Sequence, residues 1–274
     1  MTGQRFWNSG ADLWPLFGPP LRPGDEDGAI LEDLLLDWSR RHGTPQMLVL
    51  GVTPEVHALA QRHGWPLQAV DRVSDMFDSV WPGDPADTLC ADWKDIPLEP
   101  ASRDVVVLDG GLQMLAYPQE QARLAQEMRR ILRPDGLFIG RMFALPAVAE
   151  SAEAVIADLR RGEIPRVDAL KLRLGMALQR SPESGTALRQ VWETVCAAEP
   201  DFEALARRLG WPIEQMQSLH AYEHATESYH FFDVDALCGV WCGQVGGFER
   251  AAVKVGSYPL AERCPTVALR RLRE

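Results

Sequence analysis

The 274-residue sequence holds no apolar run long enough to span a bilayer, so no membrane partner is expected. Its first ten residues lack the apolar core of a signal peptide, and a cytoplasmic location is the corresponding expectation. Cysteine is scarce. Cys90, Cys196, Cys238, Cys242 and Cys264 are odd in number and scattered, which reads as free thiols rather than a disulfide framework. Basic charge is also in deficit: 28 Lys and Arg face 39 Asp and Glu, a net charge of -11, which argues against a nucleic-acid backbone or an anionic membrane as the main partner. Arg129, Arg130, Arg133, Arg270, Arg271 and Arg273 cluster in sequence, but a solvated helix face and a charged tail account for them. Internal repeats and low-complexity segments are missing as well. What remains is a globular composition, 46% hydrophobic and 24% charged, in a chain long enough for one large domain or a core with an inserted subdomain.

Within that chain the most informative stretch runs from Met47 to Glu55. A short apolar run (Met47 to Leu50) ends at Gly51 and opens into a helix start at Thr53-Pro54, and a second apolar run then ends in Asp71. This is the layout of a nucleotide pocket in an open α/β sheet. Glycine lets backbone approach a ligand, a helix N-terminus offers free N–H groups to an anionic part, and an acid at the next strand tip can accept ribose hydroxyls.

The remaining pattern extends this layout. Residues 1–28, with Trp7, Trp14, Phe17 and three prolines, read as an apolar N-terminal arm, either packed on the core or lying as a flap over the pocket. A helix starts at Asp27-Gly28 and ends at Gly43-Thr44-Pro45. Strands are expected at 47–50, 67–70, 88–90, 104–108 and 137–143. Helices are expected from Thr53 to Gly64, from Ser74 to Val80 and from Pro118 to Leu132, with a turn at Arg133-Pro-Asp-Gly136. From Pro146 to about His230 only helical stripes recur, without a clear strand. Strand signal returns at 251–255 and 267–272 as a closing antiparallel pair, preceded by a glycine-rich turn at 243–247.

Taken in order, these segments resemble a class I S-adenosylmethionine-dependent methyltransferase. Leu48-Val-Leu-Gly51 resembles the family's first motif, Asp71 its ribose-holding acid, and Asp92-Trp93 the pair at the adenine. Asp104 to Gly111 resembles the fourth motif, whose strand end faces the reacting methyl group. Leu132-Arg-Pro-Asp-Gly136 resembles the turn before the fifth strand, and Gly247-Phe248 the entry to the final strand pair. The family usually shows three glycines in the first loop. Here Gly51-Val-Thr-Pro-Glu55 keeps only the first, and Glu55 would repel a carboxylate if it faced inward.

The resemblance implies a doubly wound, Rossmann-like α/β fold with a mostly parallel seven-stranded sheet and an antiparallel C-terminal strand, and the helical stripes, which no family motif covers, read as a helical cap insertion. Residues 29–143 and 231–274 would form the S-adenosylmethionine-binding core and 144–230 the cap. It implies S-adenosyl-L-methionine as cofactor, with Gly51, Thr53, Asp71, Met76, Asp92, Trp93, Asp109 and Gly110 around it, and a small-molecule methyl acceptor; a homodimer is compatible with it. Catalytic residues are not identified. His220, His224 and Tyr117 are the candidates, and Arg141 inside a strand is a contact for a substrate acid or a neighbouring carboxylate. His220 and His224 stand one helical turn apart, but no third ligand accompanies them, and no metal is expected. Three other functions stay open: a non-catalytic binding or scaffold module on the same fold, a protein methyltransferase, and a nicotinamide-dependent oxidoreductase.

Overall fold

The computed structural model describes residues 13–243 and 246–273; Trp7 and the middle of the glycine-rich turn lie outside them. The first helix, α1 (Asp25–His42), is followed by β1 (Met47–Leu50), α2 (Pro54–His63), β2 (Leu67–Asp71), α3 (Ser74–Ser79), β3 (Thr88–Cys90) and β4 (Arg103–Asp109). Next come α4 (Gln119–Ile131) and β5 (Leu132–Arg141). A long helical stretch holds α5 (Ala152–Arg161), α6 (Val167–Leu178), α7 (Leu188–Ala198), α8 (Phe202–Leu209) and the one-turn α9 (Gln217–His220), with two very short strands, β6 (Thr186–Ala187) and β7 (Ser228–Tyr229). The chain then returns to the sheet through α10 (Val234–Trp241), β8 (Phe248–Lys254) and β9 (Thr266–Arg271).

Seven strands form one sheet in the order β3-β2-β1-β4-β5-β9-β8. Strands β1 to β5 pair in parallel and β9 runs antiparallel between β5 and β8. This is the mostly parallel, doubly wound α/β sheet with an antiparallel last strand that the sequence pattern implied.

Alternating side chains explain why both faces are covered. Leu48, Leu50, Val106, Leu108 and Phe138 point into one core with α4 and α10, where Trp241 lies 4.4 Å from the Phe138 ring. Met47, Val49, Val105, Val107 and Ile139 point into the other, with α1 and α2. A β-branched apolar run such as Val105 to Leu108 in β4 is stable only when sandwiched in this way. The helical stretch has a cluster of its own, built on Val155, Leu159, Leu170, Leu174, Val191, Leu205 and Leu219.

The structure corrects several expectations. Helix α1 begins at Asp25, not Asp27, because the Asp27 carboxylate accepts the Gly24 N–H at 2.9 Å and so caps the turn before it. Strand β5 begins at Leu132, directly after α4, and ends at Arg141. The expected turn at Arg133 to Gly136 is absorbed as an irregularity in the strand: Asp135 has φ +65° and the β4 register shifts between Arg103 and Val105. Gly136 is required there, since a Cβ would lie 2.8 Å from the carbonyls of both Arg133 and Asp104. The helical stretch also contains the β6–β7 pair, whose two-residue strands are too short to leave a period in sequence.

Candidate functional site

The carboxyl ends of β1, β2 and β4 converge with the loop after β3 on one cleft, at the point where the strand order reverses. Gly51 ends β1 with φ +88°, a conformation that glycine reaches without strain. A Cβ built there would meet Trp93 Cζ2 at 3.7 Å and Asp71 Oδ2 at 3.9 Å, ordinary contact distances. Gly51, Asp71 and Trp93 therefore meet around one point. The Trp93 ring is fixed by its Nε1, which donates to the Val70 carbonyl at 2.9 Å.

Electrostatics distinguish the three aspartates of the cleft. Asp71 Oδ1 accepts the Val73 N–H at 2.9 Å, but burial dominates and pushes its carboxyl up to about 6. Burial works in the same direction at Asp92, yet the Lys94 N–H at 2.9 Å and the Lys94 ammonium at 3.0 Å outweigh it and hold that carboxyl below the usual range. Lys94 Nζ also reaches Glu120 Oε1 at 3.3 Å. Asp109 is engaged elsewhere, for Arg141 takes both of its oxygens. Arg141 thus contacts a neighbouring carboxylate, one of the two partners expected for it. Burial pushes the Asp109 carboxyl up, and the guanidinium opposes that shift.

Gly51, Thr53, Asp71, Met76, Asp92, Trp93, Asp109 and Gly110 all line a single cavity of about 200 Å³. Two neighbouring cavities measure only about 10 and 30 Å³, room for roughly one or two waters. Thr53 occupies the N-cap position of α2, but its side chain caps nothing; Pro54 at the first helical position sets the start instead.

His220, His224 and Tyr117 do not line this cavity. Both histidines are exposed, and His220 packs on Phe202 with ring centroids 4.9 Å apart. Tyr117 packs on Phe232 at 5.1 Å. Among the described residues no group of three His, Cys, Asp or Glu is placed to hold a metal ion.

Residues from outside the sheet also line the cavity, and among them the sequence had singled out Trp14 and Phe17, as part of an arm packed on the core or lying as a flap over the pocket. From residues 13–24 come Trp14, Phe17, Leu21 and Arg22, so this segment lies over the cleft. Arg22 Nε pairs with Glu55 Oε1 at 2.5 Å, which neutralises the acid that stands in the glycine-poor loop. The helical stretch adds Ser218, Ala221, Tyr222 and Tyr229, and the loop after β4 adds Gln113. Only the aromatic density of residues 7–17 hinted at the first group; the Tyr222-Tyr229 pair left no local signal. Residues 13–24 are anchored from two sides. The Gly18 N–H donates to Asp168 Oδ2 at 3.0 Å, and the Arg141 fork donates to the Pro20 carbonyl at 2.8 Å.

A cleft that leaves Gly51 open to close approach, sets an acid at the β2 tip and stands an indole beside both has the shape and donor set for an adenosine carrying a charged tail.

The comparisons agree. A family model described as a methyltransferase domain matches residues 50–140, which run from the last residue of β1 to the next-to-last residue of β5. No curated protein matches the chain in sequence. Among solved structures, a Rhodobacter sphaeroides protein described provisionally as a zinc-dependent alcohol dehydrogenase is 15% identical over 97% of this chain and 99% of its own, at a TM-score of 0.59. A Pyrococcus horikoshii protein is 15% identical over 93% of this chain and 94% of its own, at 0.50. A chain from the complex of a Haloferax volcanii methyltransferase activator with a protein described provisionally as a methyltransferase is 12% identical over 97% of this chain and 98% of its own, also at 0.50. At such identities these three likenesses speak to the fold alone. The domain match lies on the strands that shape the cleft, so the chain is similar there, over residues 50–140, to a methyltransferase domain.

Proposed function

We propose that the chain is a class I S-adenosylmethionine-dependent methyltransferase and that it acts on a small molecule held in a roofed chamber. One observation carries the reading: the same cavity is lined by the strand-end residues Gly51, Asp71 and Asp92 and by Phe17, Tyr222 and Tyr229 from outside the sheet. A macromolecular acceptor would need a broad open groove at this point, whereas residues 13–24 and the helical stretch lie over the cleft. In this reading residues 144–230 act as a cap that excludes water and shapes the acceptor pocket.

The cofactor supplies an activated sulfonium methyl, so the protein's work is alignment, which can contribute as much as ~7–11 kcal/mol. Asp71 accepts the ribose hydroxyls and Asp92 the adenine amino group. Trp93 and Met76 flank the base. Gly51 and Thr53 leave room for close backbone approach, and Gly110 does the same at the end of β4. Arg22, fixed by Glu55 through Nε, offers its terminal amines to the methionine carboxylate. In this way a side chain replaces the glycine-loop contacts that the chain lacks. Asp109 acts through Arg141, as a support for the segment that carries Arg22.

Calorimetry with S-adenosylmethionine and S-adenosylhomocysteine tests the assignment. Both should bind the wild type, and Asp71→Ala should weaken both at least tenfold. Equal affinities in wild type and variant would refute the ribose assignment.

A further inference from the structure

Gln113 is 3% exposed and lines the cavity in the turn after β4, just beyond Gly110. Its amide orientation is settled by its neighbour: Nε2 donates to the Gly110 carbonyl at 2.5 Å. The His230 N–H in turn donates to the Gln113 carbonyl at 2.7 Å, which ties the residue to the segment after β7. That leaves Oε1 buried and without a partner among the described residues. A buried amide oxygen that accepts nothing carries a desolvation cost, and such groups are rare unless a ligand completes them.

The surroundings narrow the ligand. Phe17, Phe143, Tyr222 and Tyr229 give this part of the cavity flat aromatic walls. The two tyrosine hydroxyls bond to each other, and burial pushes both phenols up, so neither serves as a base at neutral pH. Of the acids that line the cavity, Asp71 and Asp92 hold the cofactor in the reading above, Glu120 is engaged by Lys94 and the Ala116 N–H, and Asp109 keeps both oxygens on Arg141.

Resting on the small-molecule reading above, we propose that Gln113 Oε1 receives the N–H of the acceptor and that the acceptor is an arylamine or an amino-heterocycle. A hydroxyl or thiol would have to shed its proton to a base as it attacks, and none of the described lining residues is free to take it. An alkylammonium would enter an apolar chamber as a cation beside a sulfonium, at a double electrostatic cost. A weakly basic ring amine is neutral at pH 7 and carries both an N–H for Gln113 and a lone pair. That lone pair forms the bond to the methyl carbon while the carbon–sulfur pair returns to sulfur, so the positive charge passes to nitrogen. The N–H proton stays on the product and is released to water once the product leaves.

The test uses enzyme saturated with S-adenosylhomocysteine and ligand-observed NMR titration of aniline, N,N-dimethylaniline and toluene. Aniline should bind at least fivefold more tightly than the other two. Gln113→Met should abolish that preference while leaving toluene and S-adenosylhomocysteine affinity unchanged. If the variant misfolds, the wild-type preference still decides. With S-adenosylmethionine, members of a panel of arylamines and amino-heterocycles should be methylated, and phenol should not be at pH 7. Absence of the aniline preference, an unaffected Gln113→Met, failure of the whole amine panel, or methylation of phenol would each overturn the proposal. Failure of S-adenosylhomocysteine to bind at all would instead sink the underlying methyl-transfer reading.

Discussion

Arg141 holds Asp109 through both arms of its guanidinium fork, with Nε 2.5 Å from Oδ1 and Nη2 3.0 Å from Oδ2, at the carboxyl ends of two adjacent parallel strands. The arginine is 4% exposed, and its remaining amine reaches the Pro20 carbonyl. Removing one member of such a buried pair leaves the other charge uncompensated. Asp109→Asn should therefore destabilise the fold by about 3–5 kcal/mol in denaturant titration. The double variant Asp109→Leu with Arg141→Met should recover a large part of that loss. Hydrogen exchange should show residues 13–24 opening in the double variant, because the Pro20 contact is lost with the arginine. Protection unchanged in the double variant would mean that Gly18 and Arg22 anchor the segment on their own.

Asp71 makes two predictions of opposite sign. Its carboxyl is pushed up to about 6, above the ordinary value of 3.8, so between those limits the folded protein binds more protons than the unfolded chain. Its contribution to stability is therefore complete below about pH 4 and is lost as pH rises through 6. Denaturant unfolding of the ligand-free protein should show this slope, and Asp71→Asn should flatten it. Cofactor affinity moves the other way, because the ionised carboxylate is the better acceptor for ribose hydroxyls. Affinity should fall by up to about tenfold per pH unit below 6, as read by calorimetry.

Gly51→Ala isolates backbone strain from crowding. The added Cβ would meet Trp93 and Asp71 only at ordinary contact distance, whereas φ +88° is hostile to an L side chain. The expected cost is about 1–3 kcal/mol of stability, with a parallel loss of cofactor affinity. Thermal unfolding with and without S-adenosylhomocysteine measures both, and an unchanged melting temperature would show that the loop relaxes.

Arg22→Ala tests the substitute for the missing glycines. Loss of a charge-assisted contact to a carboxylate should weaken S-adenosylmethionine by roughly 10- to 100-fold. Binding of 5′-methylthioadenosine, which lacks that carboxylate, should be nearly unchanged. Glu55→Gln should weaken S-adenosylmethionine far less, since Glu55 only holds the arginine in place. An equal loss for both ligands in Arg22→Ala would mean that the arginine merely supports the fold.

Much of the core was legible because its signals are local. The run 47–50 ends at a glycine, Gly64 breaks the next helix, and the apolar residues 105–108 can be stable only inside a two-sided sheet. Asp71 and Asp92 stood out because an acid at a strand tip has a topological meaning in such sheets. The fate of Asp109 was not legible. Its partner lies 32 positions away, and only the register of β4 against β5 brings them together. Likewise nothing near Glu55 signals that Arg22 will neutralise it, and nothing near His220 shows that its ring turns to Phe202 rather than to the cleft.

By itself the order of apolar runs, glycines and acids determined the layered α/β architecture and the edge of the sheet where a nucleoside would sit, because hydrophobic period and glycine conformation act within a few residues. Which charges are neutralised, which amide is left without a partner, and which aromatic residues roof the chamber were decided by tertiary packing alone. Those outcomes depend on contacts between distant segments, 32 positions apart for Arg141 on Asp109, 33 for Arg22 on Glu55, 150 for Gly18 on Asp168 and 121 for Arg141 on Pro20, and no local pattern encodes a distance between segments so far apart.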